Sequence, residues 1–165
     1  MQADRYERLL DGLGADVIDR YDREESGGAD SLGEYIQGGG ALTFGAMCRA
    51  DQIAVLRAIE TNLPTRTARP NYNTGASYAI KHAVERYTGF YVSNLQAKTA
   101  MRILGYKRSA DELNPVYNVT RREWAAFSEL SHDLAARRHA ARQRVAKREE
   151  QKAAARYFYR LSRTA

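Results

Sequence analysis

Residues 77–106 read SYAIKHAVERYTGFYVSNLQAKTAMRILGY, and this stretch decides the fold class. Apolar residues recur at helical spacing on both sides of the short GFYVS segment, which predicts two helices of about a dozen residues each. Gly89 is placed to end the first helix, and Ser93 with Gln96 forms a capping box that begins the second. Gly105 is placed to close the second helix. The pattern predicts a helix-turn-helix-like pair.

A short β-hairpin is predicted after this pair, with residues 106–108 and 116–119 flanking the polar turn SADELNP. The order helix, turn, helix, hairpin is that of a winged-helix unit, which reads DNA. Two helices and a hairpin are also common in small domains for structural reasons alone. If the unit reads DNA, the second helix presents the base-contacting side chains, which are Asn94, Gln96 and Lys98.

Several segments between residues 77 and 119 resemble a pattern in small uncharacterised proteins encoded by phages, prophages and plasmids. The shared segments are SYAIKHAVE (77–85), GFYVSN (89–94), GY (105–106) and NPVYNV (114–119). In that family the second helix commonly begins with an Asn-Gly-x-Phe step, whereas here Asn94 is followed by Leu-Gln-Ala. The resemblance implies a mobile-element origin and a role such as gene regulation or interference with a host complex. It transfers no catalytic residue.

The composition is that of a soluble chain of one domain plus an arm: 165 residues, 44% hydrophobic and 28% charged. No apolar run approaches the roughly 20 residues of a membrane span, so no membrane partner is expected. The first residues are acidic before they are apolar, unlike a secretory signal. A single cysteine, Cys48, excludes an internal disulfide and a cysteine-based zinc site. We therefore expect a cytoplasmic protein, in the bacterial host if phage-encoded, without a cofactor.

The two ends of the chain carry opposite charge. Residues 1–37 hold ten acids and four arginines, whereas residues 137–165 hold ten bases and two acids, Glu149 and Glu150. Such asymmetry indicates an anionic partner for the basic end. The alternatives are that both ends are solvated faces, or that the acidic arm folds back on the basic one.

These patterns divide the chain into four segments. Residues 1–25 are expected to form an acidic amphipathic helix, loosened by Gly12 and Gly14, and residues 26–40 a glycine-rich linker. The helical core spans 41–134, and 135–165 form a projecting helix rich in alanine and arginine. The fold class is thus mainly α, with the helix pair, the hairpin and a long basic C-terminal helix.

The C-terminal helix is predicted to begin at a second capping box, Thr120 with Glu123. Neither glycine nor proline follows it, and a helix over residues 121–162 would be about 63 Å long, too long to pack entirely on so small a domain. Trp124 and Phe127 lie in the apolar stripe that anchors its first part. The rest must project.

Eight bases of the projecting part fall within an arc of about 140°, which we call the basic stripe. The opposite side offers alanines and then an aromatic cluster of Tyr157, Phe158 and Leu161. Arginine suits phosphate, so the stripe is expected to bind nucleic acid. Alternatively, the alanine face packs on a neighbouring helix or on a second copy, while the scarcity of large apolar residues disfavours a membrane surface. The basic stripe consists of Arg137, Arg138, Arg142, Arg148, Lys152, Arg156, Arg160 and Arg163.

No catalytic motif is recognised. His82, His132 and His139 lack metal-ligand spacing, and Lys81, His82 and Glu85 are typical of a hydrogen-bonded helix surface. The sequence therefore predicts a non-enzymatic protein that binds DNA, RNA or a host nucleoprotein complex through its basic helix. The alternative is a protein-interaction module, an inhibitor or adaptor of a host complex, which uses the aromatic cluster and the acidic N-terminal face. A homo-oligomer is compatible with both.

Overall fold

The structure is a computed structural model that describes residues 4–26, 43–110 and 113–164, with side chains described through residue 153. The architecture is mainly helical, as predicted. The predicted linker, residues 26–40, lies outside the described residues except for Ser26. The six helices within the described ranges are α1 (Arg5–Leu13), α2 (Ala15–Glu25), α3 (Arg49–Asn62), α4 (Ser77–Thr88), α5 (Asn94–Ile103) and α6 (Arg121–Thr164).

The central helix is α5, which contacts α2, α3 and α4. Its N-terminal capping box is confirmed: the Gln96 amide donates to Ser93 Oγ at 3.0 Å, and the Ser93 amide donates to Gln96 Oε1 at 2.7 Å. At its other end Gly105 has a φ of 77°, and the Gly105 and Tyr106 amides bond back to carbonyls of the last turn, as in a Schellman motif. The left-handed Gly89 ends α4 as predicted. These local signals fix the helix pair.

The N-terminal segment is two helices rather than one. Gly14, with φ of 76° and ψ of 160°, separates α1 from α2. Tyr6, Leu10 and Ile18 are buried in the common core. The pair is therefore part of the domain and not a free arm.

The prediction of a β-hairpin within residues 106–119 is wrong. The described residues of this region form an isolated bridge, Arg108 with Tyr117, and no strand. On its other side the segment 115–119 bonds to the loop before α4, where the Thr67 amide donates to Asn118 O at 2.7 Å. Since the segment changes partners along its length, successive bridges do not align into a ladder.

The long helix α6 packs chiefly on α4, with Phe127 1% exposed. Half of its predicted capping box is confirmed: the Glu123 amide donates to Thr120 Oγ1 at 3.3 Å. The other half is wrong, because both Glu123 carboxylate oxygens accept from the Thr65 amide at 3.2 Å.

In the part of the chain that the structure describes, none of the helices combines the length and apolar character needed to cross a membrane.

Candidate nucleic-acid interface

The C-terminal part of α6 leaves the domain surface. Arg138 is the last partly covered residue among the described side chains, and every residue from 139 through 153 is exposed. At 1.5 Å per residue, this exposed span is about 22 Å long. A helix with no covered face is held by its continuity with the packed turns and not by contacts of its own.

The exposed span carries five bases and two acids. Arg142, Arg148 and Lys152 lie on the basic stripe, whereas Arg144 and Lys147 lie outside its arc. Lys152 Nζ donates to Glu149 Oε1 at 2.8 Å. This surface is therefore cationic, but its charge is partly offset within the span.

Arg137, at the start of the stripe, is exposed and forms an ion pair with Asp133 one turn earlier, at 2.7 Å. Exposed pairs of this kind contribute little stability, so the arginine is easily recruited by another anion.

Arg138 does not belong to the free basic stripe. Its Nη1 donates to the carbonyl of Arg86 and its Nη2 donates to the carbonyl of Tyr87 at 2.5 Å. Gly89 makes this approach possible, because a Cβ there would lie 3.1 Å from Arg138 Cζ. A cation at the last carbonyls of α4 also complements the helix dipole. Arg138 thus joins α6 to α4, and its assignment to phosphate binding is not supported.

The predicted base-contacting residues of α5 are occupied inside the protein. Gln96 and Lys98 are each 5% exposed; Gln96 Nε2 donates to Thr43 O at 3.2 Å and Lys98 Nζ to Glu25 O. Asn94 Nδ2 donates to Leu113 O at 3.1 Å. A recognition helix must present a free face to a DNA groove, and α5 is enclosed by α2, α3 and α4. Gln96 and Lys98 are therefore excluded from the candidate interface, whereas Asn94, half-buried at the start of α5, stays a prediction.

The remaining predicted site residues lie outside the described side chains. They are Arg156, Arg160 and Arg163 of the basic stripe and Tyr157, Phe158 and Leu161 of the aromatic cluster.

A cleft of about 340 Å³ opens where α6 passes the end of α4. Its cationic side includes Arg86, Arg138 and Arg142, with His139 beside them. Arg86 Nε donates to Ser131 Oγ at 3.1 Å, and burial lowers the pKa of its guanidinium, although arginine keeps its proton at neutral pH. The cleft thus lies where the exposed span of α6 meets the rest of the domain. The other lining residues are Glu85, Gly89, Phe90, Tyr91 and Ala135.

Tyr91, which lines this cleft, shares a lysine neighbour with Tyr78. Tyr91 is 62% exposed and Tyr78 is 54% exposed, and Lys81 Nζ lies 5.1 Å and 5.2 Å from their ring centroids. The sequence interpretation missed Tyr91 and Phe90, although two adjacent aromatics in a five-residue turn are a usable signal. Only the folded chain shows that Lys81 contacts the rings of both Tyr78 and Tyr91.

Glu85 holds the turn on which Tyr91 lies. Its Oε2 lies 2.8 Å from His82 Nδ1 and 3.6 Å from Lys81 Nζ, and its Oε1 accepts from the Val92 amide at 3.2 Å. A carboxylate with these partners fixes the turn. The cluster is hydrogen-bonded as expected, but it is not a surface cluster throughout, because Lys81 is buried.

Most acids of α1 and α2 are paired within the domain. Asp16 and Asp19 are exposed exceptions. In the described residues the acidic end does not fold back on the basic stripe but on bases of α3, of α5 and of the segment that follows α5. The ion pairs are Asp4 with Arg57, Asp11 with Arg49, Glu24 with Arg102, and Glu25 with Arg102 and Arg108.

Asp22, another acid of α2, is buried at 1% exposed and binds main-chain amides. Its carboxylate accepts from the amides of Phe44 and Gly45 at 3.0 and 2.9 Å, and from Thr99 Oγ1 at 2.6 Å. Burial raises its pKa, because desolvation outweighs the opposite effect of these three donors. The residue ties α2 to α5 and is structural.

The described residues contain no group of three or more histidine, cysteine or acidic side chains placed to hold a metal. Comparison of the chain with family models, with curated proteins and with solved structures found no match. The function has to be inferred from the surface geometry.

Proposed function

We propose that the protein is a non-enzymatic nucleic-acid-binding protein whose contact surface is the exposed span of α6, residues 139–153, continued by the basic residues beyond it. The observation that carries the proposal is that fifteen successive helical residues are exposed and carry five bases. The resemblance to mobile-element proteins suggests a role in the cytoplasm of a bacterial host, on DNA, RNA or a nucleoprotein.

Phosphate binding accounts for this surface better than solubility does. The other described helices pack on the core, and several of their arginines have acidic partners in the domain, such as Arg5 with Glu60 and Arg49 with Asp11. The exposed span has a surplus of bases and a single apolar side chain other than alanine, Val145. Counterion release favours binding of such a helix to a phosphate backbone at low salt.

The alternative, an inhibitor or adaptor of a host complex, requires a free acidic face at the N-terminus. Four acids of that face pair with arginines of the same domain, which balances much of its negative charge, although the face itself stays exposed at Asp11, Asp16 and Asp19. The pairing therefore favours the nucleic-acid proposal over this alternative.

The experiment compares two triple variants with equal loss of charge. The stripe variant is Arg142→Gln, Arg148→Gln, Lys152→Gln, and the control is Arg69→Gln, Arg121→Gln, Arg122→Gln. All six positions are exposed, and glutamine is a good helix former, so both variants should fold. The control bases lie outside the exposed span, in the loop before α4 and in the first turn of α6. Affinity for duplex and single-stranded oligonucleotides is measured by fluorescence anisotropy across a salt series.

For three duplex phosphate contacts, the slope of log affinity against log salt should flatten by about 3 in the stripe variant. The control should lose less than about 1. Equal slopes in the two variants would overturn the stripe as the contact surface. Wild-type protein that binds no oligonucleotide at low salt would overturn the proposed function.

A further inference from the structure

The cleft beside α4 differs from the exposed span in offering aromatic rings as well as charge. Arg142 belongs to both surfaces, so a strand that follows the basic stripe toward the domain arrives at the cleft. Tyr91, 62% exposed, lies at that end.

The exposed tyrosines are held in place and are not loose surface residues. Lys81 is only 8% exposed, and its ammonium group lies at nearly equal distances from the rings of Tyr78 and Tyr91, 5.2 Å and 5.1 Å from their centroids. Glu85, the ion-pair partner of Lys81, also anchors the next turn through the Val92 amide. A fixed, accessible ring beside cationic groups is the arrangement on which nucleobases stack.

The charges at the cleft complement a phosphate backbone. Arg142 lines it as an exposed cation, whereas Arg86 and Arg138, which also line it, are bonded to groups of the domain and add only their long-range charge. The carboxylate among the lining residues, Glu85, is hydrogen-bonded to His82 and to the Val92 amide. An anion is therefore favoured at this position over a cationic or neutral partner.

We propose that the cleft binds single-stranded nucleic acid, with a base stacked on Tyr91 and the neighbouring phosphate on Arg142. This inference rests on the proposed function, which it narrows to one substrate class. In a duplex the faces of the bases are stacked on each other and are closed to Tyr91, whereas an unpaired strand presents them. The basic stripe alone would bind duplex and single strands alike, whereas stacking on Tyr91 would favour the single strand.

The experiment uses full-length protein and three labelled probes: oligothymidylate and oligouridylate of about 12 nucleotides, within the usual site sizes of single-strand binders, and a duplex of equal length. The variants are Tyr91→Ala, Tyr91→Phe and Tyr72→Ala. Tyr72 is a matched control, because it is 76% exposed and does not line the cleft. Circular dichroism verifies that each variant folds.

Tyr91→Ala should weaken single-strand binding by roughly 5-fold or more, the loss expected for one stacked base. Duplex binding should change less than about 2-fold, since it rests on phosphate contacts. Tyr91→Phe should keep single-strand affinity, because phenylalanine retains the ring. The two single-stranded probes show whether the site takes DNA, RNA or both.

Equal single-strand affinities of Tyr91→Ala and Tyr72→Ala would overturn the inference. The proposed function would still stand if the slope of log affinity against log salt were flatter in the stripe variant than in the wild type. Absence of binding by the wild type to all three probes would overturn both.

Discussion

Arg138 has a structural role on α6, although its neighbours on the basic stripe are proposed to bind phosphate. By helical spacing it belongs to the basic stripe, but in the folded chain its guanidinium bonds to the carbonyls of Arg86 and Tyr87. We predict that Arg138→Gln destabilises the fold without changing the salt dependence of nucleic-acid binding. The matched substitution Arg142→Gln, four residues later at an exposed position, should leave the stability unchanged and reduce the salt dependence of binding.

The expected size of the destabilisation follows from the bonds that Arg138 makes. Two bonds from a charged donor contribute about 1.5–3 kcal/mol each when buried, and a cation at a helix C-terminus adds about 0.3–1 kcal/mol. Arg138 is only partly covered, which weakens these interactions, and a glutamine amide keeps some of the bonding. We therefore expect a loss of about 1–2 kcal/mol in the free energy of unfolding, against less than about 0.5 kcal/mol for Arg142→Gln.

Urea denaturation followed by circular dichroism measures the stability of both variants. Anisotropy titrations across a salt series measure their binding slopes. The reasoning fails if Arg138→Gln unfolds like the wild type while its slope against log salt flattens by about 1, the value for one lost phosphate contact.

Three further predictions concern the framework and are tested by denaturation. Thr120→Ala should lower the free energy of unfolding by about 1 kcal/mol by removing the N-cap acceptor of the Glu123 amide, and an unchanged curve would mean that the cap does not matter. Gly75→Ala should cost about 1–3 kcal/mol, because its Cβ would lie 2.2 Å from Trp124 Cζ2; a variant as stable as wild type would show that the indole moves freely. The raised pKa of Asp22 means that the folded state binds its proton more tightly, so its contribution is full below the unfolded pKa and is lost as pH rises through the folded one. The stability of Asp22→Asn relative to wild type should thus increase from about pH 4 upward, and a decrease would contradict this sign.

The helix ends of the central pair were predictable because their signals are local. The capping box of Ser93 and Gln96 and the left-handed Gly89 and Gly105 depend on residues within one turn of the chain. The hairpin failed for the opposite reason, since residues 115–119 also bond to a distant loop that has the composition of a linker.

The candidate site was only partly predictable. The basic stripe follows from helical spacing, but the point at which α6 leaves the domain does not, and that point makes Arg138 structural and leaves Arg142 exposed. In the same way, Lys98 has the sequence character of a surface residue, and only the packing of α2 on α5 brings it to the Glu25 carbonyl. Helical spacing gives a residue's face, but tertiary packing decides what covers that face.

Mapping the contact on the wild-type protein tests whether the exposed span of α6 binds nucleic acid. Amide chemical shifts of isotopically labelled protein are followed by nuclear magnetic resonance during titration with a single-stranded oligonucleotide at low salt. We expect the largest shifts in residues 139–153 and at residues 89–91, with α1 and α2 unchanged. Shifts confined to α1 and α2, or the absence of shifts at saturating oligonucleotide, would contradict the claim.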